Sequence, residues 1–199
     1  MDHNKRFPLK HPSLIPSGSL MDFHLDHTTA LLARTPAALD ALLRDLPAAW
    51  TEAREGDGTM SPREVVAHLI DADQTNWMPR VETILRAGQA EPLPSFDRYA
   101  KIRANADTPL AALLDEFTAI RTTRLEQLRA LALTPVQLSL TGAHPALGTV
   151  TVAQVLAAWT AHDLTHLHQI SRLLAHQYRE AVGPFARFLG VLHCTGHSS

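Results

Sequence analysis

The stretch Thr151-Val152-Ala153-Gln154-Val155-Leu156-Ala157-Ala158-Trp159-Thr160-Ala161-His162-Asp163-Leu164-Thr165-His166-Leu167-His168-Gln169-Ile170 decides the fold. Threonine followed three residues later by glutamine, ahead of an apolar run, is a capping box that opens a helix. Within it, Val155, Trp159, His162, His166, Gln169 and Leu173 recur at three- and four-residue spacing, the signature of one helix face turned to a core. The spacing predicts a helix from Thr151 to about Tyr178.

Working backwards along the chain, the same period recurs. Residues from about Thr108 to Leu131 carry Leu110, Leu113, Leu114, Phe117, Ile120, Leu125 and Leu128 as a stripe. Ser61-Pro62-Arg63-Glu64 is a second capping box with proline at the first helical position, opening a helix expected to reach about Arg86 with a bend at Pro79. The stretch from Asp26 to Ala49 presents Ala38, Leu39, Leu42, Leu43 and Leu46. Within it Thr35-Pro36 reads as an N-cap and first helical residue, so two short helices or one kinked helix both fit. Gly88 to Asp97 and Pro135 to Gly148 read as loops, and almost no segment alternates in the manner of a strand. Four amphipathic helices without strands predict an all-α helical bundle. The expected organisation is a flexible arm over residues 1–24, a bundle over 25–182, and a short helix and tail over 183–199. Met21, ahead of the regular sequence, is a second candidate start.

The totals narrow the function classes. A chain of 199 residues is the size of one domain with a substantial core. A net charge of −2 gives no field to attract nucleic acid or an anionic membrane, and no apolar run reaches the roughly 20 residues that span a bilayer. The single cysteine, Cys194, excludes an internal disulfide framework and suits a reducing compartment. Pro8, Pro12 and Pro16 interrupt any secretory-type apolar segment, so the expected location is cytoplasmic.

Histidine is the unusual component, at 12 residues. At that abundance about 0.7 His-x-x-x-His pairs arise by chance, so spacing alone is weak, and context must choose between His162/His166 and His193/His197. Four residues apart on a helix, His162 and His166 differ by about 40° in direction and about 6 Å in height, so both rings reach one ion. They also lie on the core-facing stripe, whereas His193/His197 brackets Gly196 near the chain end and reads as incidental. His68, within the apolar run Val65 to Ile70, is the candidate third ligand. Three neutral imidazoles with open positions match a catalytic metal site, for zinc, nickel, iron or manganese. Asp71, one turn after His68, and Gln169, one turn after His166, are placed to hold the outer ring nitrogens. The competing reading is that the three histidines simply pack in the core. His168 is expected in solvent, His176 too far along the helix to share the ion, and Asp163 in a surface ion pair or capping the site. A di-iron carboxylate centre lacks the paired Glu-x-x-His motifs, and no nucleophile elbow is present.

The segments Ser61 to Leu69, Leu147 to Gln154 and Trp159 to Ile170 resemble the DinB/YfiT-like superfamily of metal-binding helical bundles. With the Thr35-Pro36 helix start and the long third helix, the likeness covers roughly residues 25–178. The resemblance implies a four-helix bundle of up-down-down-up type with His68, His162 and His166 as the metal triad, in a family that is frequently homodimeric. It also implies a choice of activities. Some members are S-transferases or isomerases using bacillithiol or mycothiol, and others are assigned as metal-dependent hydrolases. The expected function is therefore a metal-dependent enzyme that activates water or a low-molecular-weight thiol against a small-molecule substrate. The alternative is a non-catalytic metal- or ligand-binding bundle of a stress response. Arg80, Arg86 and Arg103 are the basic residues available to a thiol cofactor's carboxylates. The arm before Met21 and the tail after Tyr178 fall outside the likeness.

Overall fold

The computed structural model describes residues 22–97 and 99–194. The expected arm therefore lies outside the described residues except for 22–24, as do His197 and the end of the tail.

The chain forms α1 (Leu25–Leu32), α2 (Thr35–Leu43), the single turn α3 (Ala48–Thr51), α4 (Pro62–Asp71), a π-helical turn (Ala72–Asn76), α5 (Trp77–Ala87), α6 (Ala100–Ala104), α7 (Leu110–Ala130), α8 (Pro135–Leu138), strands β1 (Thr141–His144) and β2 (Gly148–Thr151), and α9 (Val152–His176). Two 3-10 segments, Gly183–Phe188 and Gly190–Leu192, stand where one short helix was expected. Both capping boxes form: Ser61 with Glu64 opens α4, and Thr151 with Gln154 opens α9. α1 and α2 pack on α9, α2 and α4 on α7, and α4 and α5 on α9, closing a four-helix bundle.

Three local expectations are corrected. Thr35 is not an N-cap: Arg34 holds that position with no side-chain cap, and Thr35 is already helical with its hydroxyl turned inward. Two short helices, rather than one kinked helix, fill this stretch. Where a bend at Pro79 was expected, the helix instead opens into a π turn just before it, next to a proline that lacks a donor and crowds the carbonyl four residues earlier. The backbone oxygens of Asp73 and Gln74 in that turn are held from α7 by Arg124, at 2.8 and 3.0 Å. The connection before α9 contains an antiparallel hairpin, Thr141 opposite Thr151 and His144 opposite Gly148. Strands of four residues are too short to display a period of two. Gly142 lets β1 approach α5, since a Cβ there would lie 2.6 Å from Ile84 Cγ1.

The core is two apolar clusters with a polar layer between them. Each bundle component passes from one cluster to the other through that layer. Leu32 is followed by Thr35 and then Leu39, and Ile70 by Asp73 and then Trp77. Likewise Phe117 is followed by Arg121 and then Leu125, and Trp159 by Asp163 and then Ile170. No helix among the described residues is long and apolar enough to cross a membrane.

Candidate metal centre

The three histidines meet beside this layer. His68 comes from α4, just before the π turn, and His162 and His166 come from successive turns of α9. His162 Nε2 lies 3.1 Å from His68 Nε2 and 3.1 Å from His166 Nε2, and all three ligand atoms fall within 4.8 Å of one another. His68 and His166 are buried, and His162 is half-buried, so the cluster opens on the His162 side.

The donor set fits a metal ion. With bonds of about 2.1 Å, two ligating nitrogens stand about 3.0 Å apart at a right angle and about 3.4 Å apart at the tetrahedral angle. The separations of 3.1 Å fall between these. A single proton on His162 Nε2 cannot serve both neighbours well, whereas one cation accepts all three lone pairs. His166 Nδ1 donates to Gln169 Oε1 at 2.8 Å, and this tautomer leaves the Nε2 lone pair facing the other rings. Asp71 is buried one turn after His68, where Thr75 Oγ1 donates to its main-chain oxygen at 2.9 Å. Two aromatic rings wall the cluster: Phe96 is 5.5 Å from the His68 ring, and Trp77 is edge-on to His162 at 5.1 Å.

Beneath the histidines lies an ionic network that the sequence reading missed. Arg121 is 1% exposed and uses all five of its N–H donors. Nε and Nη2 bond Asp73 at 2.7 and 3.0 Å, Nη1 and Nη2 bond Asp163 at 2.5 and 3.1 Å, and Nη1 also bonds Leu32 O at 2.8 Å. Thr35 Oγ1 donates to Asp163 at 2.6 Å, and Trp159 Nε1 donates to Asp73 at 3.0 Å. Burial pushes the Asp73 carboxyl up to about 6 against the pull of Arg121. Burial also opposes the Arg121 charge, but Asp163 and Asp73 outweigh it and hold the guanidinium charged. Asp163 is thus neither a surface pair nor a cap on the site: it is 2% exposed and anchors α9, one residue from His162, to α7 and α2. A signal existed in the sequence. Arg121 lies in the four-residue gap between Ile120 and Leu125 in the α7 stripe, four positions from both Phe117 and Leu125.

Three other histidines lie away from this cluster. His168 is exposed, His176 is half-buried near the end of α9, and His193 bonds Ala186 O.

No curated protein matches the chain. Among solved structures it is similar to YfiT from Bacillus subtilis, described as a probable metal-dependent hydrolase with an unusual four-helix bundle topology. The TM-score is 0.68 at 20% identity, over 81% of this chain and 92% of that one. At that identity the likeness shows the shared fold. The family model of the DinB superfamily matches residues 31–170, a span holding all three histidines and Arg121, and the chain belongs to the DinB superfamily.

Proposed function

We propose that this protein is a metal-dependent enzyme in which His68, His162 and His166 hold one divalent transition-metal ion for reaction on a small molecule. The observation that carries the reading is the meeting of three Nε2 atoms from two helices, with the His166 tautomer set by Gln169. When bound, such an ion supplies a Lewis acid able to bring the pKa of water or of a thiol toward neutrality. The chain's own part is to hold the donors rigid, through the Arg121 network, and to limit solvent with Trp77 and Phe96. Asp71 is assigned as the acceptor for the outer nitrogen of His68. Three protein ligands leave coordination positions for a reactant, as a closed structural site does not. We place the enzyme in the cytoplasm as a homodimer, following the sequence expectation.

The test is metal content and activity. Purified wild type is expected to carry about one equivalent of zinc, nickel, iron or manganese, and His68→Ala, His162→Ala and His166→Ala to lose it while remaining folded. A screen of ester, amide and electrophile substrates with and without a small thiol then separates the chemistries. Turnover without thiol identifies hydrolysis, and strict thiol dependence identifies transfer. A wild type that neither contains nor takes up these metals would leave the three histidines as packing residues and sink the proposal.

A further inference from the structure

The rings of His68 and Trp77 both stand against His162, at 5.2 and 5.1 Å. On an unbroken α-helix two residues nine positions apart point about 180° from one another, so one helix could not turn both toward the same partner. The π turn Ala72–Asn76, which lies between them, removes the conflict. It takes up one extra residue, which sets the phase back by about 100° and leaves the two side chains about 80° apart. The place of Trp77 at the histidine cluster therefore depends on the turn keeping its register.

That register displaces a hydrogen bond. Trp77 N donates to Ala72 O, five residues back. In an α-helix its acceptor would be Asp73 O, four residues back, so the turn deprives this carbonyl of its ordinary helical donor. Asp73 is 0% exposed, so water does not replace it. A buried carbonyl without a donor favours return to the α register, in which Trp77 N would serve it again. Arg124 on α7 supplies a donor instead. Its Nε donates to Asp73 O at 2.8 Å and its Nη2 to Gln74 O at 3.0 Å, while Nη1 is tied to Gln127 Oε1 at 2.8 Å. Arg121, three residues earlier on α7, holds the Asp73 carboxylate, so one helix grips both the main chain and the side chain of this residue. We infer that Arg124 is a positioning residue of the metal centre, holding the π turn open and so keeping Trp77 on the same histidine as His68. This deepens the metal-enzyme reading above and rests on it.

The test uses full-length, ¹⁵N-labelled protein loaded with cobalt(II), a paramagnetic divalent ion. The readout is the relaxation enhancement of the Trp77 indole N–H, which falls steeply with distance from the ion. The resonance is assigned by its loss in Trp77→Phe. Arg124→Met, which keeps the stem without the donors, is expected to lower the enhancement at least about threefold, as the turn recovers the α register and swings Trp77 away by about 100°. Arg124→Gln, too short to reach both carbonyls, is expected to act in the same direction. Arg124→Lys keeps a charged donor for the Asp73 oxygen and should stay within about twofold of wild type. Leu39→Ala opens a cavity in the other apolar cluster, controls for general loss of stability, and should leave the enhancement unchanged. Wild-type enhancement in a folded Arg124→Met or Arg124→Gln, or an equal fall in Arg124→Lys or Leu39→Ala, overturns the assignment. Failure of the metal reading shows separately, as no cobalt uptake by wild type. In that event the cross-peak between the Trp77 and His162 ring protons of the metal-free protein decides: its loss in Arg124→Met supports the role of Arg124, and its retention overturns it.

Discussion

Gln169 and Asp73 show how single residues divide the work around the histidines. Gln169 accepts the His166 Nδ1 proton and so orients a ring whose other nitrogen faces the cluster. Gln169→Ala is expected to lower zinc affinity by about 10–100-fold in a chelator-competition titration, while Gln169→Glu, which keeps an acceptor, retains most of it. Asp73 belongs to the network below, where two carboxylates share the one guanidinium of Arg121. Its pKa is raised to about 6 when folded, above the ordinary carboxylate value of about 3.9. The folded state therefore binds the extra proton, and this group's contribution is full below the lower value and lost as pH rises through the higher one. Comparing urea unfolding of wild type with Asp73→Asn, the difference should move in favour of wild type as pH falls from 7 to 4, by up to about 3 kcal/mol. A difference independent of pH would show that folding leaves the Asp73 pKa at its ordinary value. Arg121→Ala leaves both carboxylates buried without their cation and is expected to cost about 3–5 kcal/mol.

At the scale of elements, the π turn and the hairpin are what the helical period could not announce. The π turn places Asp73 toward Arg121 and Trp77 toward His162 within five residues, by shifting the phase between α4 and α5. The hairpin lies against α5 because Gly142 has no side chain, and Leu93 N donates to Ala143 O to tie the 88–97 loop along it. Gly142→Ala is expected to destabilise the protein by about 1–3 kcal/mol, since its Cβ would overlap Ile84 Cγ1 and the strand must lift. Amide hydrogen exchange should show faster opening in β1 and β2 with α9 unaffected; unchanged protection there would mean the contact is dispensable. The capping boxes, by contrast, are local devices: Ser61 with Glu64 and Thr151 with Gln154 start their helices as their spacing predicts, because both partners lie within four residues.

For the whole molecule, the polar layer gives the bundle a cross-section at which all four components are registered. A ligand that binds only the folded form raises stability by mass action, about 2.7 kcal/mol at a free concentration one hundred times its Kd. Under the proposed function, a divalent metal at that excess should raise the Tm of wild type, chelation should reverse the rise, and His162→Ala should abolish it in a thermal melt. Equal shifts in wild type and variant would place the metal elsewhere. The sequence by itself determined the long helices and the caps at Ser61 and Thr151, the face on which His162, His166 and Gln169 lie, and His68 as the third member, because periodicity and capping act over a few residues. It also carried a trace of Arg121, as a charge at a core position of α7. Only the tertiary structure decided that Thr35, Asp73, Arg121 and Asp163 form one network, that Asp163 faces inward, and that Trp77 and Phe96 stand against the histidines. Such pairings join residues up to 128 positions apart. They depend on how the helices rotate against one another, which the pattern along any one helix does not contain.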